Sequence, residues 1–89
     1  MEKYQEIRTL YLYCASLGFT ELKYDSWFDG HIIIFPNGAD VVQNRYSYGS
    51  DEGCVEFANL CDEYDYTAIP LEEAKRLIEL FKDELEKTP

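Results

Sequence analysis

One histidine, three cysteines and eighteen aspartates and glutamates are the side chains of this 89-residue chain from which metal-binding, nucleophilic or acid–base chemistry would most readily be built. A structural zinc needs four N or S donors at paired spacings. His31, Cys54 and Cys61 supply three donors with no C-x-x-C pair among them, and a lone histidine opening a strand-like run is ordinarily a structural or surface residue. Asp62, Glu63 and Asp65 lack the alternating ligands and central glycine of a calcium loop. A cysteine nucleophile would need a base, and His31, the only candidate, has no spacing that ties it to Cys54 or Cys61. Glu72 and Glu73 are neighbours on a helical run, point in different directions, and suit the positive end of a helix dipole. Gly49–Gly53 encloses Asp51 and Glu52, which would repel a phosphate. These patterns predict no catalytic residue, no metal ligand and no cofactor.

Charge and tyrosine carry more information. Residues 1–50 hold six acids and four bases, whereas residues 51–89 hold twelve acids and four bases, so most of the net charge of −10 lies in the second part. There, Asp51, Glu52, Glu56, Asp62, Glu63 and Asp65 fall on loops and a solvated strand face, close to Tyr46, Tyr48, Tyr64 and Tyr66. Carboxylates on a rigid surface can imitate phosphates, and phenol rings supply flat contact area. These ten residues form the candidate partner-binding surface, and its complement is the basic surface of a protein. The competing explanation is that the acids only keep the chain soluble while the tyrosines are half-buried in a sheet. Glu79, Asp83, Glu84 and Glu86 are set aside, because Lys75, Arg76, Lys82 and Lys87 lie within helical reach of them.

Several elements must position this surface. Tyr4, Ile7, Leu10, Tyr11, Cys14 and Leu17 recur at intervals of three and four, which predicts a one-sided helix over residues 2–17, closed by Gly18. Short β-rich runs follow: Leu22 to Trp27, His31–Phe35, Val41–Tyr46 and Cys54–Ala58. Pro36, Asn37 and Gly38 read as a tight hairpin between the second and third. Val55 and Phe57 alternate with Glu56, so the last strand buries one side. Residues 61–69 read as a loop. Pro70 then starts a second helix, with Leu71, Ala74, Leu77, Ile78, Phe81 and Leu85 as its stripe. The order predicts one α+β domain over residues 1–89: a two-layer sandwich with a small antiparallel sheet of three to four strands and both helices on one face.

An 89-residue chain is too short for two cores. The excess of acids disfavours nucleic acid as a direct ligand. Apolar runs such as Ile32–Phe35 fall far short of the roughly 20 residues that span a bilayer, so no membrane association is expected. The first six residues have no signal-peptide character. Three cysteines suggest no disulfide framework and fit reduced thiols in the cytoplasm.

In size, acidity and α+β make-up, with the acidic stretches Gly49–Gly53 and Cys61–Tyr66, the chain resembles the small acidic proteins of phages and mobile elements, anti-CRISPR inhibitors among them. That resemblance is one of class and transfers no residue roles. It implies a viral, non-enzymatic inhibitor that masks the basic nucleic-acid-binding site of a host enzyme. The alternative expectation is a structural module in which the open sheet face or an exposed strand pairs two copies into a homodimer.

Overall fold

A computed structural model describes residues 3–89. Helix α1 (Gln5–Ser16) leads into an antiparallel sheet of β1 (Lys23–Trp27), β2 (Gly30–Ile34), β3 (Asp40–Gln43), β4 (Cys54–Ala58) and β5 (Ile69–Pro70), in that spatial order. Helices α2 (Leu71–Leu80) and α3 (Lys82–Leu85) complete the fold. The expected α+β sandwich is present, with one short strand more than the sequence suggested. Residue 2, the expected start of α1, lies outside the described residues.

Period-two burial assigns the two sheet faces. Ile33, Phe35, Val41, Val55 and Phe57 are almost fully buried and cluster with Ile7, Leu10 and Cys14 of α1 and Ala74, Leu77 and Ile78 of α2. Ile34, Val42, Glu56 and Ala58 point the other way and remain partly accessible. Both helices therefore cover one face. The other face keeps its solvent side, as amphipathic strands in a two-layer fold allow.

Pro36–Gly38 forms the expected hairpin loop, closed by Phe35 N–H donating to the Ala39 carbonyl at 2.9 Å. Gly30 opens β2 where a Cβ would stand 1.8 Å from the Gln43 carbonyl oxygen, so only glycine allows β2 and β3 to approach there.

Residues 61–69 do not end as a loop, because Ile69 and Pro70 pair with Val55 and Cys54 as β5 before the helix begins at Leu71, and two other boundaries also shift. The third strand ends at Gln43, not Tyr46, because the Asn44 side-chain carbonyl accepts the N–H groups of Tyr46 and Ser47 at 2.8 and 3.1 Å and turns the backbone out of the ladder. The second helix breaks at Phe81 (φ −99°, ψ 13°) and resumes as α3, while its stripe continues through Leu85, which is buried.

Candidate functional site

The candidate surface on the uncovered face is assembled from three loops and from strands β1, β3 and β4. At one end the β1–β2 turn projects Phe28 outward, 63% exposed, with Trp27 behind it at 50%. Phe28 holds φ 57° at the first of two turn residues, a position glycine ordinarily takes. A bulky residue kept there stores strain, and such strain gathers at functional surfaces. Tyr46, 65% exposed, comes from the turn that Asn44 creates. Its ring meets that of Phe28 at 4.9 Å and 77°, and Phe28 meets Trp27 at 5.7 Å and 81°. Arg45 lies with its guanidinium carbon 4.9 Å from the Tyr46 ring centre and 5.9 Å from that of Phe28.

Glu56 borders the aromatic group, and the charges of Glu56 and Asp65 reach Asp40 farther along the sheet. Glu56 of β4 is paired across the ladder with Val42 and accepts the Tyr48 N–H at 2.9 Å. Asp40 of β3, paired with Ala58, has its carboxyl pushed up to about 6, first by burial and then by the charges of Glu56 and Asp65. Asp65 accepts the N–H groups of Leu60 and Cys61 at 3.0 and 3.2 Å, and its backbone bridges to Phe57. Tyr66, at φ 58° and exposed, follows by donating its N–H to the Phe57 carbonyl. The loop after β4 is thus pinned along that strand, so its acids sit on ordered backbone.

The ten residues singled out in the sequence do not form one set. Tyr46, Tyr48 and Glu56 gather on the uncovered face or at its margin, the charge of Asp65 reaches Asp40 there, and Tyr66 is exposed on the loop pinned to Phe57. Asp62 and Glu63 are exposed at the outer bend of the loop after β4. Tyr64 is half-buried against the core, next to Arg76. Asp51 and Glu52 lie in a short 3-10 turn on the flank of the α1 N-terminus, where Asp51 feels the charge of Lys3 and Gly53 adjoins Glu6. Trp27, Phe28 and Asp40 belong to the surface and escaped the sequence reading. For the aromatic pair the available signal was two large rings set directly against a turn, Trp27-Phe28-Asp29-Gly30, where burial is hard to arrange.

The reactive groups lie elsewhere. His31 faces the helices and stacks on Tyr24 at 4.7 Å, and Tyr24 stacks on Tyr11. Cys14 is buried in the core, which pushes its thiol up to about 12. Among the described residues no hydrogen bond joins His31 to Cys54 or Cys61, no three His, Cys, Asp or Glu side chains converge as a metal-holding group, and no helix is long and apolar enough to cross a membrane. Comparison with family models, with curated proteins and with solved structures gave no match to this chain.

Proposed function

We propose that this protein is a non-enzymatic binding module whose uncovered sheet face, with Tyr46, Tyr48, Glu56, Asp65 and Tyr66 and the adjoining Asp62 and Glu63, engages a basic surface of another protein. The surface it masks is one that an enzyme uses to hold nucleic acid, so the protein acts as an inhibitor.

One observation carries this reading: carboxylates without an ion pair lie close enough to act on one another at a face that also exposes aromatic rings. On the C-terminal helices Glu72, Glu73, Glu84 and Glu86 each meet a cation of their own, namely Lys75 at 3.2 Å, Arg76, Lys87 at 2.8 Å and Lys82 at 2.7 Å. Asp40, Glu56, Asp62, Glu63 and Asp65 make no ion pair among the described residues. Cations are present on this side too, Arg45 among them, but none among the described residues is ion-paired with these five acids, and the charges of Glu56 and Asp65 act on Asp40 instead. Uncompensated carboxylates beside exposed aromatics match an interface that steers a cationic partner by charge and holds it by apolar contact.

The test is retention of cellular proteins on the immobilised full chain over a salt series, with duplex DNA as competitor. A basic protein is expected to be retained by the wild type, displaced by DNA, released as salt rises, and lost from the Asp40→Asn, Glu56→Gln, Asp65→Asn triple variant. Equal retention by that variant, or elution that ignores salt, removes the proposal.

A second reading has its own support. Ile34 and Val42 leave apolar area on the same face, and β1 is an outer strand. If two copies pair there, sedimentation will show a dimer at micromolar concentration; a monomer throughout disposes of it.

A further inference from the structure

We infer that Trp27, Phe28, Tyr46 and Glu56 form a receptor for a single arginine side chain of the basic partner. This deepens the reading given above and depends on it.

With Val42, Asn44 and Ser47 the four residues line an open pocket of about 160 Å³. Its three rings meet nearly at right angles, Phe28 against Trp27 at 81° and against Tyr46 at 77°, so they offer walls rather than a flat stack. A cation over such rings is held by their quadrupoles. Glu56 adds the counter-charge, and its carboxylate is held in place by the Tyr48 N–H at 2.9 Å, with acceptor capacity to spare.

Arginine suits this arrangement better than lysine. A guanidinium is planar, weakly hydrated and able to stack on a ring while its N–H groups reach a carboxylate, whereas an ammonium is a compact and strongly hydrated charge. The chain supplies its own precedent: the Arg45 guanidinium lies over Tyr46 and Phe28 at 4.9 and 5.9 Å, and an incoming guanidinium would share those rings with it. Phe28 adds an independent indication. Its positive φ keeps an exposed ring at the pocket rim where glycine would relieve the backbone, and nothing in the core requires that ring.

Trp27 is the single tryptophan of the chain, so its fluorescence reads the pocket directly. The probe is a dye-labelled, capped peptide of five arginines added to the full chain, with the same peptide made from neutral citrulline as control. Anisotropy of the dye reports binding anywhere on the protein; Trp27 emission reports the pocket. The arginine peptide is expected to change Trp27 emission saturably and the citrulline peptide to leave it unchanged. Tyr46→Ala and Glu56→Gln are each expected to weaken binding about fivefold or more. Glu72→Gln, the same loss of charge on the helical side, is expected to weaken it less than about twofold. Tyr46 and Glu56 lie outside the core cluster, and urea unfolding of each variant verifies the fold. Binding by anisotropy that is equally tight in Tyr46→Ala and Glu56→Gln overturns the arginine receptor and leaves the basic-partner reading standing. No binding by anisotropy even at low salt overturns both.

Discussion

The backbone N–H of Tyr48 donates to the Glu56 carboxylate across 2.9 Å, so a side chain on β4 anchors the long connection that leaves β3. Glu56 therefore has two separable roles, one as a hydrogen-bond acceptor and one as a charge. Glu56→Gln keeps an acceptor carbonyl and is expected to change stability by less than about 0.5 kcal/mol. Glu56→Ala removes the acceptor and is expected to cost about 1 kcal/mol, with Tyr46 and Tyr48 freed from their fixed placement. Urea denaturation of the three proteins side by side checks this. Equal loss in both variants would mean that charge, not the hydrogen bond, anchors the loop.

Gln43 gives a larger effect. It is fully buried; its Oε1 accepts the Ile7 N–H in the first turn of α1 at 3.0 Å, and its Nε2 donates to Glu6 at 3.0 Å and to the Ser50 carbonyl at 3.2 Å. Tyr4, at the N-cap position, makes no side-chain cap, so a residue of the sheet performs that task from 36 positions away. Gln43→Ala strands a buried N–H and a buried carbonyl and leaves a void. The expected loss is about 3 kcal/mol, seen as a fall in the urea midpoint. Gln43→Glu keeps the acceptor for Ile7 but sets a second carboxylate against Glu6, and is expected to fall between wild type and Gln43→Ala at neutral pH.

Gln43 also marks where sequence reading stops. The core is legible because period alone sorts residues: the stripe from Ile7 to Cys14 and the alternation of Val55 and Phe57 about Glu56 are local patterns, and local pattern decides which side is buried. The hairpin at Asn37-Gly38 is legible for the same reason, since turn chemistry lies within a few residues. A glutamine in a run of valines gives no hint that it caps a distant helix. Asn44 hides in the same way, because Val41–Tyr46 has strand composition and only the side-chain carbonyl of Asn44 ends it. The candidate surface was half visible. The excess of acid could be counted, but which carboxylates meet lysines and which meet one another depends on how strands pair, and that placed Asp40 beside Glu56 and Asp65 while sending Asp51 toward Lys3.

Asp40 carries a pH signature that follows from that meeting. Burial, then the charges of Glu56 and Asp65, hold its carboxyl at about 6 in the folded chain, against an ordinary value of 3.8. Between those two values the unfolded chain has given up this proton while the folded chain still keeps it. The folded state binds more protons there, so stability falls as pH rises through the window and the penalty persists at neutral pH. Partial exposure of Asp40 screens the effect, which leaves a penalty of about 1–2 kcal/mol above pH 6. Asp40→Asn is accordingly expected to be more stable than wild type by that amount at neutral pH, and to match it below about pH 3, where Asp40 is protonated in both states. Urea unfolding of both proteins at the two extremes measures the difference; equal stabilities at neutral pH would show that Asp40 is not held up. The same proton reports on binding. A cation docked beside Glu56 favours the charged form of Asp40, so binding near pH 6 and just below it releases protons, and affinity for the penta-arginine peptide is expected to fall as pH drops from 7 to 5, less steeply in Asp40→Asn.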